Sequence, residues 1–141
     1  MMTSRQHAAF SLVELMVVVI IIGLLSTLVA VQTRSYLIAS KQNAARAEIA
    51  TMVSALESFY ADQSRYPNND EGIEILTRGT RSFPDGFLKK VPTDPWGRPY
   101  EYVSPAVKSP FTILCLGGDG REGGEGGDAD ISSEALNAKA K

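Results

Sequence analysis

The residues best suited to chemistry lie in a glycine-rich acidic segment, residues 117–130. It contains seven glycines and one arginine, and its five carboxylates are Asp119, Glu122, Glu125, Asp128 and Asp130, so the formal charge is −4. Ca²⁺ takes about six to eight oxygen ligands, and glycines let the backbone turn its carbonyl oxygens toward an ion. Clustered carboxylates repel one another unless a cation neutralises them. This composition favours a Ca²⁺-binding loop over a disordered acidic linker.

Other metal and nucleotide motifs in this segment fail on their context. Gly118, Gly120 and Gly123 have the spacing of a dinucleotide-binding fingerprint. No helix pattern follows them, however, and the negative charge would repel a pyrophosphate. Residues 123–128 resemble one turn of a Ca²⁺-binding β-roll, which needs stacked copies, and the chain has one. The spacing of an EF-hand is also absent.

The rest of the chain offers little for catalysis or nucleic-acid binding. His7 is the only histidine, so the body of the chain has no histidine base and no histidine for a zinc site. Cys115 is the only cysteine and lies in an apolar run, where we predict a small buried side chain rather than a reactive thiol. The formal net charge is −2, and no cluster of Lys and Arg favours nucleic acid. We therefore predict a protein that is not an enzyme.

A second candidate site is a carboxylate inside an apolar N-terminal segment. Residues 15–31 carry no charge, and residues 10–31 carry one, that of Glu14. A helix of this length rises about 33 Å, enough to cross a bilayer core of about 30 Å. An ionisable group in such a segment is costly and usually marks a function. We predict a membrane helix with a functional acid near its start.

Three interpretations of the N-terminal segment compete. A cleaved secretory signal, cut after Ala30, would have a shorter apolar region. A plain signal anchor leaves Glu14 unexplained. The third is a prepilin processing site, which the polar leader of residues 1–9 and the following residues resemble: Phe10, Ser11, Leu12, Val13 and Glu14.

The resemblance to prepilins implies a processing step and a role for the acid. In that family a peptidase cuts before the phenylalanine on the cytoplasmic face and methylates the new amine. The cut is therefore expected between Ala9 and Phe10. The amine of Phe10 and the carboxylate of Glu14 would then neutralise each other between adjacent subunits and set the register of each incoming helix.

A single long helix is predicted to connect this segment to a globular domain. Beyond residue 31 the apolar residues recur at spacings of three and four, which predicts an amphipathic stalk helix over residues 32–62. The residues of this stripe are Ile38, Ala45, Ile49, Met52, Val53, Leu56 and Tyr60. Pro67 ends the helix, because the residue before a proline is pushed out of the α region. Asn69 or Asp70 is the predicted N-cap of a short helix that includes Ile73 and Leu76.

A small antiparallel sheet is predicted to lie on this helix. Residues 100–103 and 111–116 are rich in aromatic and β-branched residues and are joined by a polar, proline-bounded loop. Trp96 precedes them in a turn, where we predict a core side chain, with a partner contact as the alternative. The fold class is therefore α+β, with a globular domain over residues 63–131. Residues 132–141 are polar, which predicts a flexible tail.

Three further motifs extend the resemblance over nearly all of residues 10–131. They are the pair Tyr66 and Pro67, the sequence VPTDPWGRPY at residues 91–100, and the loop from LGGDG to DADI at residues 116–131. Together they resemble the major pseudopilin of type II secretion systems, in the type IV pilin-like superfamily. In that family the loop binds Ca²⁺, which implies Asp119, Asp128 and Asp130 as side-chain ligands here. The Leu116 carbonyl is implied as a backbone ligand.

The resemblance implies a structural subunit of the secretion pseudopilus. Prepilin peptidase would process it, and an inner-membrane assembly platform would build it, with further copies and minor pseudopilins, into a periplasmic filament. Growth of that filament would drive protein export across the outer membrane. The chain is then expected to cross the inner membrane once, with its C-terminal domain in the periplasm. The alternatives are a subunit of a type IV pilus and a monomeric, signal-anchored Ca²⁺-binding module.

Overall fold

The computed structural model describes residues 10–139, without the side chains of residues 28–32 and 139. The predicted leader, including Ala9, the last two residues of the predicted tail and the side chains at the end of the predicted membrane segment lie outside the described residues. The chain divides into two compact units, Met1–Leu37 and Ile38–Lys141. The first contains part of the long helix, and the second contains the whole core.

Helices and strands alternate with long irregular segments. In chain order they are helix α1 (Leu12–Gln63), a 3₁₀ helix (Ile73–Thr77), strand β1 (Glu101–Val103), strand β2 (Thr112–Cys115), a 3₁₀ turn (Gly126–Asp128), strand β3 (Ile131–Ser132) and helix α2 (Ser133–Lys139). The sheet has the order β1-β2-β3, and both pairs are antiparallel. The predicted α+β class and the predicted continuous N-terminal helix are confirmed.

In the first unit, α1 exposes its apolar side chains. Between residues 10 and 25 every large apolar side chain is exposed, from 47% at Val18 to 82% at Phe10. Glu14 is the acidic residue of the first helical turn. Among the side chains that the structure describes, no helical segment combines the length and the apolarity needed to cross a bilayer.

In the second unit, α1 buries one stripe of its surface. Ala45, Ile49, Met52 and Leu56 are completely buried, which confirms the predicted amphipathic pattern. The stripe ends at Phe59 and not at Tyr60 as predicted. Phe59 is 3% exposed, whereas Tyr60 is 46% exposed and stacks on Tyr66 with 4.7 Å between the ring centroids. The helical period allows either neighbour to face the core, and in the structure Phe59 does so, with its ring centroid 5.5 Å from that of Phe87.

The predicted cap of the short helix is wrong. Asn68 forms the turn instead, because its Oδ1 accepts the Glu71 N–H at 2.8 Å while the Glu71 carboxylate accepts the Asn68 N–H at 3.0 Å. The Asn69 side chain accepts the Ser104 N–H at 2.7 Å and so serves a distant loop. The helix that follows Gly72 is a 3₁₀ helix, with Ile73 and Leu76 buried.

The core joins the stripe of α1 to the sheet. Glu101 pairs with Leu114 across β1 and β2. Burial alternates along β2, and Ile113 and Cys115 are the residues that face the core. Tyr100, at the start of this hairpin, is 6% exposed, and its hydroxyl donates a hydrogen bond to the Glu48 carboxylate on α1. Burial, and then the hydrogen bond to Glu48, raises the pKa of Tyr100. The tyrosine therefore stays protonated and ties the hairpin to the helix.

The prediction of a flexible tail is wrong for residues 132–139. Strand β3 pairs with β2, where Cys115 lies opposite Ile131, and α2 follows directly. Ser133 is 2% exposed, and its hydroxyl accepts the Ile113 N–H at 3.0 Å. The Glu134 carboxylate accepts the Thr112 hydroxyl at 2.6 Å. The polar side chains that suggested solvation instead satisfy donors of the neighbouring strand.

Replacing Ser133 with alanine should destabilise the fold. The substitution leaves the buried N–H of Ile113 without its acceptor, which costs about 1–3 kcal/mol in the free energy of unfolding. Urea denaturation followed by circular dichroism measures the loss. Asn137→Ala, at an exposed position of α2, is the control and should stay within about 0.5 kcal/mol. Equal free energies of unfolding of the two variants would refute the packing of the C-terminal segment against β2.

Candidate functional site

The acidic loop between β2 and β3 is closed by its own backbone hydrogen bonds. The Gly120 N–H donates to the Leu116 carbonyl at 3.0 Å, and the Gly118 N–H donates to the Gly127 carbonyl at 3.0 Å. Gly117 and Gly120 have φ angles of 54° and 71°. Residues other than glycine rarely adopt such φ angles, so the glycines are needed for this turn. The loop is therefore an ordered turn and not a flexible linker.

The implied ligands lie along this turn. Asp119 Oδ1 accepts the Arg121 N–H at 3.1 Å, and Asp130 Oδ2 accepts the Gly123 N–H at 2.8 Å. The Asp128 carboxylate lies beside Gly118, since Asp128 Oδ1 is 2.6 Å from the position that a Cβ at Gly118 would take. Among the described residues, no three His, Cys, Asp or Glu side chains gather into a set that could hold a metal ion. The structure thus orders the predicted acids in one loop without bringing three of them together.

One buried side-chain oxygen in the loop lacks a hydrogen-bond partner. Asp130 Oδ1 is buried and accepts no hydrogen bond. A buried carboxylate oxygen without a donor is costly, so such an atom calls for an ion or a water molecule. Carboxylate and carbonyl oxygens without nitrogen or sulfur donors suit a hard cation such as Ca²⁺. The donor atoms of the loop are therefore of the right kind for Ca²⁺.

The turn before β1 contains two residues whose contacts could not be found by sequence reasoning. Asp94 is 4% exposed, and its Oδ1 accepts the N–H groups of Trp96 at 2.9 Å and Arg98 at 2.7 Å. The Arg98 guanidinium donates through Nη2 to the Gly117 carbonyl of the acidic loop. The motif of residues 91–100 predicted a turn, but it contains no signal for its partner 19 positions away.

Helix α1 also contacts the acidic loop within the second unit. Gln42 Nε2 donates to the Gly126 carbonyl. Ile38 Cγ2 is 3.0 Å from the position of a Cβ at Gly127, so only glycine fits there without a shift. Trp96 is half-buried and packs on the core cluster, while Lys41 Nζ lies 5.7 Å from its ring centroid. Trp96 therefore lies at the edge of the core and not inside it as predicted.

Cys115 is a buried structural residue. It is 1% exposed, and its Sγ lies 3.7 Å from Asp94 Oδ2. Burial is the largest cause that raises the pKa of the thiol, to about 11. The reactive thiolate is therefore scarce near neutral pH, and the prediction of a small buried side chain is confirmed.

The processing and assembly residues belong to the first unit. Phe10 directly precedes α1 and is 82% exposed, and Glu14 lies in the first turn of that helix. A helix that exposes apolar side chains around a single carboxylate, continued into an α+β core, defines a subunit of the pilin-like class.

Comparisons with known proteins narrow this class to one family. The family described as "Type II secretion system (T2SS), protein G" matches residues 33–134, and the "Prokaryotic N-terminal methylation motif" matches residues 4–30. The core protein G of Pseudomonas aeruginosa is 41% identical over 94% of this chain and 98% of its own length. The core protein G of Vibrio cholerae is 38% identical over 92% of each chain.

A solved structure agrees with these sequence matches. The crystal structure of the major pseudopilin from the type 2 secretion system of enterohaemorrhagic Escherichia coli superposes with a TM-score of 0.57 at 26% identity. The match covers 69% of this chain and 89% of that one.

The chain belongs to the type II secretion system protein G family. The predictions of a type II secretion pseudopilin and of a structural subunit of the pseudopilus are confirmed. Such a subunit is anchored in a membrane and extends into the periplasm.

Proposed function

We propose that this chain is the repeating subunit of the pseudopilus, assembled with further copies of itself through the N-terminal half of α1. The proposal rests on the exposure of every large apolar side chain between residues 10 and 25. Apolar surface on this scale is stable only when lipid or other apolar surfaces cover it. Lipid covers the helix before assembly, and neighbouring α1 helices cover it in the filament.

Glu14 gives this packing its register. It is the only charged residue in residues 10–31, and it lies four residues after Phe10 in the first turn of α1. Processing before Phe10 creates an amine whose positive charge pairs with the Glu14 carboxylate of a neighbouring subunit. An unpaired charge among apolar helices is strongly unfavourable, so only the register that forms the pair is stable.

The membrane topology follows from the same segment. Residues 10–31 form the single anchor in the inner membrane, and the Ile38–Lys141 unit lies in the periplasm. Prepilin peptidase removes residues 1–9, and an inner-membrane platform adds the subunit to a filament that also contains minor pseudopilins. Growth of the filament pushes exported proteins through the outer membrane.

The acidic loop of the periplasmic unit binds Ca²⁺ in this proposal. Asp119, Asp128 and Asp130 supply carboxylate oxygens, and Leu116 supplies a carbonyl oxygen. The support is the unpartnered Asp130 Oδ1 and the ordered glycine turn around it. A bound ion neutralises the −4 formal charge of residues 117–130 in part and stabilises the folded state.

The N-terminus of the mature chain tests the assembly proposal. Mass spectrometry of the chain from the membrane fraction should find an N-methylated terminus at Phe10. Ala9→Lys is a suitable control, because it replaces the small side chain at the cut and should leave residues 1–9 attached. A wild-type chain that retains Met1, or that begins after Ala30, would refute the proposed processing.

A further inference from the structure

We propose that Arg98 is a positioning residue for the acidic loop. Its backbone N–H is fixed by the buried Asp94, and its guanidinium holds the turn of residues 116–120 in its bent form before any ion binds. The second part of the inference, that Arg98 thereby strengthens divalent-cation binding, rests on the proposed Ca²⁺ site. The first part concerns the metal-free chain alone.

The backbone of Arg98 is held by a buried carboxylate. The Asp94 side chain is 2% exposed, and its Oδ1 accepts two backbone N–H groups of the turn, those of Trp96 and Arg98. Asp94 Oδ2 lies 3.7 Å from the thiol of Cys115 and forms an ion pair with Arg98 Nε at 3.6 Å, a distance at which the buried Nε makes no hydrogen bond. The same carboxylate thus holds the Arg98 backbone and faces its guanidinium. A planar guanidinium held in this way loses little additional freedom when it binds a further acceptor.

The guanidinium contacts the loop at two points. Nη2 donates to the Gly117 carbonyl, and Nη1 is the heavy atom nearest to the position that a Cβ at Gly120 would take. Gly120 donates the hydrogen bond that closes this turn to the Leu116 carbonyl, and Gly117 follows the acceptor directly. A charge-assisted hydrogen bond to Gly117 is stronger than a neutral one, so it holds this turn against the repulsion of the surrounding carboxylates.

A purely electrostatic role would have the opposite effect on cation binding. A positive charge near the loop repels Ca²⁺, so its removal should strengthen binding if charge alone mattered. Arg121 provides the matched control, because it carries the same charge within the acidic loop itself while its side chain is exposed. Removal of Arg121 changes the charge of the loop by the same amount without touching the turn.

Hydrogen exchange of the full chain in detergent with a chelator tests the first part. In Arg98→Ala the Gly118 and Gly120 amides should exchange at least about tenfold faster than in the wild type, because the turn opens more often. Arg98→Lys should give an intermediate rate, since an ammonium lacks the two-pronged geometry. Arg121→Ala should match the wild type. Unchanged exchange at both glycines in Arg98→Ala would overturn the proposal.

The Ile113 amide, which donates to Ser133 Oγ, reports on the whole fold in the same experiment. If Arg98→Ala accelerates exchange at Ile113 as much as in the loop, the variant has lost the fold, and Arg98→Lys decides. In that case, faster exchange of Arg98→Lys in the loop but not at Ile113 supports the proposal. Exchange of Arg98→Lys at the wild-type rate in the loop overturns it.

Calcium titration by calorimetry tests the second part. Arg98→Ala should bind Ca²⁺ about tenfold more weakly than the wild type, whereas Arg121→Ala should bind equally or more tightly. Tighter binding by Arg98→Ala would overturn the positioning role in binding. A wild-type chain that binds no Ca²⁺ would refute the proposed metal site, while the exchange rates of the metal-free chain would still decide the role of Arg98.

Discussion

Glu14→Gln should abolish filament assembly while leaving removal of the leader intact. Glutamine keeps the size and the hydrogen-bonding atoms of the side chain but cannot neutralise the amine of a neighbouring Phe10. Leaving one partner of a buried ion pair uncompensated costs about 3–5 kcal/mol, and every subunit added to the filament bears this cost. The amount of filament should fall by at least about 100-fold.

Electron microscopy of cells that overproduce the chain, together with immunoblots of the sheared fraction, measures this loss. Mass spectrometry of the same cells should still find the terminus at Phe10. Glu14→Asp is the matched control, because it keeps the charge on a shorter side chain and should retain part of the assembly. Filaments of normal number from Glu14→Gln would refute the pairing.

Calcium should raise the melting temperature of the compact unit, prepared as residues 36–141. This unit contains the whole buried core, which runs from Ala45 to Ile131. An ion that binds only the folded state at about 100 times its Kd adds about 2.7 kcal/mol to the free energy of unfolding. For a domain of this size the melting temperature rises by about 10–20 °C. Circular dichroism at increasing temperature, with Ca²⁺ and with a chelator, measures the difference.

Two loop variants separate ligation from general charge. Asp130→Asn removes the carboxylate with the unpartnered Oδ1 and should abolish most of the calcium-dependent rise. Glu122→Gln removes the same charge from an exposed position outside the implied ligand set and should keep most of it. Identical melting curves of the wild type with Ca²⁺ and with chelator would count against the metal site. If both variants lose the calcium-dependent rise equally, Ca²⁺ acts only by screening the negative charge of the loop.

Motifs and periodicity predicted the parts of the structure that depend on neighbours in sequence. The continuous α1, the buried stripe through Ile49 and Leu56 and the hairpin of β1 and β2 were all predictable. Each depends on contacts within an element or between adjacent elements, which a repeating pattern records. The single carboxylate of Glu14 in an apolar segment was visible for the same reason.

Composition misled where polar side chains bind distant groups. Ser133 and Glu134 suggested a solvated tail, but their side chains accept hydrogen bonds from β2, 20 and 22 positions earlier. Asn69 was expected to cap the adjacent helix, and it serves the Ser104 N–H instead, 35 positions later. The sequence shows the same polar residue whether its side chain binds water or a remote N–H. Only the folded structure distinguishes these two cases.

The sequence by itself determined the long N-terminal helix, the family motifs and the acids of the loop. These features depend on residue type and spacing along one stretch of chain. Only the tertiary structure decided that Arg98 reaches Gly117 and that Gln42 reaches Gly126, 84 positions away. Such contacts form when the packing of α1 against the sheet brings separate loops together, and no local pattern encodes which carbonyl a given donor will meet.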